Sequence, residues 1–402
     1  MTVPSGVGKR VKRTAAQRGG MSPVAPTPPP VPERTAHPYL THDMIHGIPA
    51  AARATLRDAA GPAARAADGM ADRSFLAFTG CGTAFFAAVL GQRLSAAGLD
   101  GRVRSEALPA LEISAYGRGV DRHAGVVGVS HSGITKTTVD ALRSARARGA
   151  RTVGITHFAD RPISSASDAT IVVGDGPDRS RCHTKCFVTG ALGSAAVGLE
   201  WGAAHARLPR KDVEERMAAL RELPSIQERV LRSQERICEE LAESHLGRRS
   251  TYLAGSGPDE PIALEAALKL KETSFIGAEA METEQFLHGP WQPLDSDSLV
   301  FVLIPGGPAR GRSVDLLHAA RAVGAHAVAL ATEGDGEVEK SGAEAVWLPA
   351  VDEFLSPLVN IIPLYLYAYY ASVKRGNNPD VLRYLEPRYW AAREIIFPPG
   401  TH

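Results

Sequence analysis

Val126-Val127-Gly128-Val129-Ser130-His131-Ser132-Gly133-Ile134-Thr135-Lys136-Thr137-Thr138 is the stretch on which the fold turns. Residues 125–129 form an apolar run of the length of a buried parallel strand. The run breaks into a turn of hydroxyls and glycine. The pattern over 135–148 then predicts a helix with a favourable cap at its start. Strand, hydroxyl-rich turn and helix N-terminus together make an anion cradle. Free backbone N–H groups and the positive end of the helix dipole face the ligand, and the hydroxyls add donors. The same three pieces also make an ordinary strand-to-helix turn, so the surrounding chain has to decide between the two.

Outward from this turn, strand-like and helix-like patterns alternate. Upstream, 37–72 is helical by its alanines and by the spacing of Met44, Ile45, Ile48 and Leu56. Residues 74–79 read as a strand ending in Gly80-Cys81-Gly82-Thr83, 84–97 as an apolar helix and 103–107 as a short strand. Downstream, 151–156 and 169–173 are strands and 183–206 is a long apolar helix. Such alternation predicts parallel βαβ units in a doubly wound sheet. Residues 211–245 are charged, with apolar positions at helical spacing, and read as a connecting helical segment interrupted near Pro224.

Beyond the connector the pattern starts again: strand 250–254, then Gly255-Ser256-Gly257-Pro258, helix 261–277, strand 299–304, helix 310–323, strands 326–331 and 343–348, and helix 355–374. Gly80 and Gly255, Val129 and Ile304, and Gly149-Ala150 and Gly324-Ala325 are each 175 residues apart. One spacing held through three separate elements is an internal repeat. The expected organisation is a disordered basic and Pro-rich tail over 1–36, a first α/β domain over 37–210, a helical connector over 211–246, a second α/β domain over 247–376 and a C-terminal tail over 377–402. At the turn that matters the second copy has Pro305-Gly306-Gly307 and no hydroxyls. One phosphate site per chain is therefore expected, in the first domain, at the carboxyl ends of the strands.

Composition narrows the class. The 402 residues are 44% apolar and 22% charged with a net charge of +1, so bulk charge supports neither nucleic-acid nor membrane binding. No apolar run is long enough to span a bilayer. Cys81, Cys182, Cys186 and Cys238 form no CxxC pair, and the histidines near them lack zinc spacing. Reduced thiols in a cytoplasmic protein are the expectation. Lys9, Arg10, Lys12, Arg13 and Arg18 make the N-terminus basic without the apolar core of a secretory signal, and Met21 offers a second start.

A second constellation lies in Ala263-Leu264-Glu265-Ala266-Ala267-Leu268-Lys269-Leu270-Lys271-Glu272. Glu265, Lys269 and Glu272 fall at i, i+4 and i+7, on one helical face. This is either an exposed salt-bridge ladder or a carboxylate held beside an ammonium for proton transfer. Downstream, His288 precedes Gly289-Pro290. That places it in a turn, where an imidazole is free to meet a ligand.

Taken in order over about residues 40–375, Gly80-Cys81-Gly82-Thr83, Ser130 to Thr135, His183-Thr184-Lys185-Cys186-Phe187, Ala263 to Glu272 and Glu284-Gln285-Phe286-Leu287-His288-Gly289-Pro290 resemble the sugar isomerase (SIS) domain family. The particular likeness is to the tandem isomerase half of the glutamine–fructose-6-phosphate aminotransferases. The resemblance implies two tandem flavodoxin-like, doubly wound domains and an aldose–ketose isomerase of phosphorylated sugars or amino sugars, with or without exchange of an amine at C2. It implies that Ser130, His131, Ser132, Thr135 and Thr83 hold the substrate phosphate, and that Gly82, Cys182, His183 and Lys185 line the substrate. It makes Glu272 the proton-shuttling base, has Lys269 and Glu265 shape its site, and has His288 assist ring opening, reaching a neighbouring subunit in a homodimer. No metal and no cofactor are expected, since a carboxylate moves the proton.

The departures from the family pattern are also informative. A family serine is Ala84 here, a family acid is Ile134, and His131 stands where the family often has glutamine. A lysine-bearing C-terminal segment is replaced by Asn377-Asn378-Pro379-Asp380-Val381-Leu382-Arg383-Tyr384. The first 36 residues cannot hold a glutaminase domain, so glutamine-dependent amination is not expected of this chain by itself. A phosphosugar-binding regulatory protein, or a synthase subunit fed ammonia by a separate glutaminase, are the alternatives.

Overall fold

A computed structural model of the chain describes residues 31–96, 104–205 and 208–398. The expected disordered tail lies, over 1–30, outside the described residues. Three helices, α1 (Leu40–His46), α2 (Ile48–Asp58) and α3 (Ala60–Asp68), lead into the first sheet. Its elements are β1 (Phe75–Thr79), α4 (Thr83–Ala96), β2 (Ser105–Ala107), α5 (Ala110–Tyr116), β3 (Ala124–Val129), α6 (Lys136–Ala147), β4 (Arg151–Thr156), α7 (Pro162–Ala166), β5 (Ala169–Val172) and α8 (Lys185–Ala204). The strand order is β2-β1-β3-β4-β5, all parallel. After α9 (Arg210–Ser244) come β6 (Ser250–Ala254), α10 (Glu260–Lys269), a π-helical turn (Leu270–Ser274), β7 (Ala278–Met281), α11 (Thr283–Leu287), β8 (Ser298–Ile304), α12 (Arg310–Ala322), β9 (His326–Thr332), α13 (Gly336–Ser341), β10 (Glu344–Leu348) and α14 (Ser356–Lys374). The second sheet has the order β10-β9-β8-β6-β7, again all parallel. A last helix, α15 (Pro387–Ile396), has no buried residue.

The two sheets are copies. Read from the opposite edge, the second has the topology of the first, and β6 and β10 begin 175 residues after β1 and β5. This is the flavodoxin-like doubly wound arrangement. Helices on both faces bury the strands, so a central strand need not alternate polar and apolar residues. All six residues of β3 and all seven of β8 are buried. The helices α8 and α14 are apolar all round, as buried helices are, and hardly a residue of either reaches solvent. They belong to one apolar core that runs through both domains.

Two expectations about the helices change. The connector is one 35-residue helix, with Pro224 inside it and no break. An interior proline costs a helix about 3 kcal/mol. Here Val213, Met217, Leu220, Leu223, Val230, Leu231, Cys238 and Leu241 bury one face of α9 along its whole length, which outweighs that cost. Gln227 and Gln234 fasten the same face to the carbonyls of Leu358 and Trp347 at 2.9 Å each. The helix expected over 261–277 is α-helical only to Lys269, and Phe275, at φ 58°, ends the π-turn that follows.

Candidate active site

In the order β2-β1-β3 the chain leaves β1 toward one edge of the sheet and continues from β3 toward the other. A crevice opens at the carboxyl ends of these two strands, where such folds bind ligands. Gly80-Cys81-Gly82-Thr83 follows β1 and Ser130-His131-Ser132-Gly133 follows β3, so the two loops face each other across it. Thr138 Oγ1 lies 3.6 Å from Cys81 Sγ and joins them. Gly133 has φ 68°, and a Cβ there would fall 2.6 Å from Arg161 Cβ, so the tight turn admits only glycine.

The hydroxyls of this turn are already ordered. Ser130 Oγ accepts the Gly133 N–H at 3.1 Å and donates to Thr135 Oγ1 at 3.0 Å. Ser132 Oγ accepts the Ile134 N–H at 3.4 Å. Thr135 precedes α6 without capping it through its side chain, which leaves the first N–H groups of the helix without that partner. The corresponding crevice of the second domain is different. Arg310 lies there, bound by the Asp335 carboxylate (2.6 Å) and by Glu337 (2.8 Å).

His131 is held from behind. Its Nε2 accepts the Asp178 N–H at 3.0 Å, so in the neutral ring the proton sits on Nδ1, which is buried without a protein partner. Burial, with His183 and His157 close by, pushes its pKa down to about 2. The ring is therefore neutral, and its N–H is enclosed beside His183 and His157. The His131 and His183 rings are 4.7 Å apart, and His183, at φ 36°, also has a buried Nδ1 with no partner among the described residues. Asp178 orders this wall from beneath, accepting the N–H groups of Thr184 (2.8 Å) and Lys185 (2.9 Å) at the start of α8. Lys185 Nζ pairs with Asp175 at 2.8 Å.

The second domain supplies the charged group. Lys269, at the end of α10, is buried, and its Nζ donates to Thr83 Oγ1 (2.9 Å), the Cys182 carbonyl (2.7 Å) and Glu272 Oε2 (2.7 Å). Glu265 Oε1 is 3.4 Å from the same ammonium and accepts hydrogen bonds from Tyr365 (3.0 Å) and Thr83 (3.3 Å). One lysine thus ties the β1 loop, the segment before α8 and two carboxylates into a junction between the domains. Burial pulls the Lys269 pKa down, but Glu265 and Glu272 outweigh it and hold the ammonium well above its usual range. Burial pushes Glu265 up to about 7 against the pull of Lys269. Glu272 is different in kind. Its side chain is 30% exposed, and its Oε1 makes no hydrogen bond to the described residues.

Of the residues singled out in the sequence, Thr83, Glu265, Lys269, Glu272 and the Cys182 carbonyl meet at this junction, and Ser130, Ser132 and Thr135 share one turn. Gly82, in the β1 loop, has φ 56° and open space where a Cβ would be. His288 stands apart. It follows α11, its side chain is 75% exposed, and its ring is bonded to Glu284. Sequence reasoning missed Asp178 and Tyr365. Tyr365 sits in an apolar helix with nothing to mark it, whereas an aspartate shortly before a helix is a legible capping signal.

The model of the SIS domain matches residues 70–195 and 247–375, one match on each sheet. Among curated relatives, the glutamine–fructose-6-phosphate aminotransferase of Symbiobacterium thermophilum is 31% identical over 314 residues, covering 77% of this chain and 50% of that protein. That of Clostridium tetani is 29% identical over 309 residues, covering 76% and 50%. The chain thus spans about half the length of the curated relatives it matches. Among solved structures, the C-terminal domain of the Francisella tularensis glucosamine-fructose-6-phosphate aminotransferase superposes with a TM-score of 0.79 at 21% identity, covering 86% of this chain and 98% of that one. The tagatose-6-phosphate ketose/aldose isomerase of Escherichia coli gives 0.67 at 19%, covering 87% and 97%. With both sheets matched and the loops after β1 and β3 facing one crevice, the chain belongs to the SIS domain family, in tandem.

Proposed function

We propose that this chain interconverts the aldose and ketose forms of a phosphorylated sugar or amino sugar. The observation that carries this reading is Glu272: a carboxylate with one oxygen on the buried Lys269 ammonium and the other facing solvent beside the β1 loop. The phosphate would sit on the Ser130, Ser132 and Thr135 turn at the N-terminus of α6, where dipole and N–H groups favour an anion. With the phosphate fixed, the Glu272 carboxylate takes the proton from the carbon beside the carbonyl. The C–H electron pair forms the C1–C2 double bond, and the carbonyl oxygen takes a proton from solvent, giving an enediol. Return of the proton from Glu272 to the neighbouring carbon, with loss to solvent of the O–H proton from the oxygen that becomes the new carbonyl, completes an isomerisation without net oxidation. Lys269 holds Glu272 in place. The same proton shift serves an amine-bearing C2, with ammonia supplied by a separate glutaminase subunit. His288, exposed on its own chain and bonded there to Glu284, would serve the site of a second copy in a homodimer.

The test is NMR of hexose and amino-sugar phosphates in deuterated water. Wild-type protein should incorporate deuterium at C2 of one of them, and Glu272→Gln should abolish this while still binding the phosphosugar. Exchange at the wild-type rate in the variant would place the base elsewhere. A second reading, phosphosugar binding without chemistry, draws on the C-terminal stretch, where Asp380 is spent on structure, accepting the Leu40 and Thr41 N–H groups at 2.8 Å each. That reading requires the wild-type protein to bind every such ligand without exchange.

A further inference from the structure

Away from the crevice, side chains of two helices converge on one point. His42 and His46 stand one turn apart on α1, so their imidazoles share a face, with ring centroids 4.3 Å apart. Their Nε2 atoms lie 2.7 and 3.2 Å from the same oxygen, Oε1 of Glu235 on α9. The Tyr370 hydroxyl, from α14, donates to this oxygen as well, at 2.9 Å. A carboxylate oxygen has two lone pairs. Three donors therefore compete for one atom, while Glu235 Oε2 has no hydrogen bond to the described residues. Ligand atoms about 2.0–2.1 Å from a tetrahedral zinc ion stand about 3.3 Å from one another. The nitrogen-to-oxygen separations here are 3.2 Å, close to that, and 2.7 Å, which a small outward shift of the His42 ring brings to it. The three side chains are 18%, 35% and 31% exposed, which leaves room for an ion and a water to enter.

We infer that His42, His46 and Glu235 form a site for a divalent transition ion of the zinc class. Two neutral imidazoles and one carboxylate are the donor set that zinc, cobalt and nickel take, and a water completes the shell. Tyr370 steadies the ligating carboxylate from the second domain. Each ring binds the ion as the Nδ1–H tautomer, so its proton moves from Nε2 to Nδ1, the Nε2 lone pair is freed and the imidazole stays neutral. The ion clips α1 to α9. The same α1 carries the Leu40 and Thr41 N–H groups that hold Asp380, and the Asp380 carbonyl accepts from Arg181 N–H, next to Cys182 and the Lys269 junction. The ion would thus fasten the segment that holds the C-terminal stretch to the rim of the crevice.

Two other clusters fit an ion less well. In the His131, His183 and Cys186 group, His131 Nε2 already accepts an N–H, so its Nδ1 carries the proton and has no lone pair to give. In the His245, His326 and Glu344 group, the Arg248 guanidinium lies 3.5 Å from His326 Nδ1 and repels a cation.

The test is titration of the full chain with Co2+, read by visible absorption, followed by displacement with Zn2+. One saturable Co2+ per chain is expected, with the ligand-field bands of a four- or five-coordinate ion. His46→Gln and Glu235→Gln should each weaken binding about tenfold or more, and His326→Gln should leave it unchanged. Zn2+ should raise the unfolding temperature of the wild type and of His326→Gln, and do so much less for the other two. Both weakened variants are first shown to be folded by circular dichroism. Absence of saturable binding at micromolar Co2+, or binding unaltered in both His46→Gln and Glu235→Gln, overturns the assignment. The site stands independently of the isomerase reading, because its readout is metal affinity and not turnover.

Discussion

Lys269 Nζ and Glu272 Oε2 meet at 2.7 Å across the point where the α-helix α10 gives way to a π-turn. Lys269 is almost wholly buried, whereas the Glu272 side chain is 30% exposed. The pair therefore straddles the boundary between protein and crevice. π-turns inside helices recur at functional sites, because the wider turn shifts the side chains that follow it. This one leaves the ammonium in the interior and its partner carboxylate at the surface of the site.

From that asymmetry the two residues should fail differently. Lys269→Met removes a buried ammonium that satisfies Thr83, the Cys182 carbonyl and two carboxylates. Breaking such a buried pair from one side costs about 3–5 kcal/mol. Glu272→Gln keeps shape and a hydrogen-bonding oxygen at a partly exposed position, and should cost about 1 kcal/mol or less. Urea unfolding of both variants checks this. Equal losses would mean that Lys269 is not what joins the β1 loop to α10.

The phosphate assignment separates two serines of the same turn. Ser132 Oγ bonds only the Ile134 N–H, at 3.4 Å, whereas Ser130 Oγ holds both Gly133 and Thr135. Ser132→Ala should weaken phosphosugar binding about tenfold, the value of one hydrogen bond to an anion, with little change in unfolding temperature. Ser130→Ala should lower both. Calorimetric titration with a sugar phosphate and with the free sugar decides it, and an equal effect on the two ligands would remove the phosphate from this turn.

Most of the scaffold was legible in the sequence, for a physical reason. The strands β1, β3, β4 and β8 are buried on both faces, so they read as continuous apolar runs, and the 175-residue repeat located their partners. The elements that went unread are those whose sequence lacks such a signal. β7 is Ala278-Glu279-Ala280-Met281, an edge strand that offers only four residues and a charge. α15 has no buried face to impose a period. At the site, Glu265, Lys269 and Glu272 were visible through their spacing. Their contacts with Thr83, Cys182 and Tyr365 were not, because each partner comes from another part of the chain. His42 and His46 show one-turn spacing, but Glu235 lies 189 residues beyond His46, and only the fold brings it there.

If His288 serves a neighbouring chain, complementation will show it. Its ring is bonded within its own chain to Glu284, which Arg312 also holds, so the imidazole is fixed on an exposed rim. Glu272→Gln and His288→Asn should each be inactive as homodimers. Mixed and re-annealed, they should recover up to about a quarter of wild-type activity, because half of the dimers are hybrids and each hybrid has one intact site. No recovery on mixing, with hybrids confirmed by mass spectrometry, would confine the site to a single chain.

The pH dependence of stability should carry the signature of Asp259. This residue is fully buried at the start of α10. Its Oδ1 accepts the Asn360 amide at 2.9 Å, and its Oδ2 has no hydrogen-bond partner within the geometric limits among the described residues. Burial pushes its carboxyl up from the ordinary 3.8 to about 7. Between those two values the folded protein holds a proton that the unfolded chain has released. Stability from this group is therefore present in full below pH 3.8 and is lost as the pH rises toward 7. A tenfold change in proton affinity is worth about 1.4 kcal/mol, so the loss has an upper bound of about 4 kcal/mol. Asp259→Asn removes the titration and should gain stability relative to wild type on going from about pH 5 to about pH 8, whatever its offset at either end. Glu265, also raised to about 7, titrates in both proteins and cancels in the comparison. Urea unfolding at the two pH values measures the difference. Parallel behaviour of variant and wild type would show that the Asp259 carboxyl is ionised inside the fold.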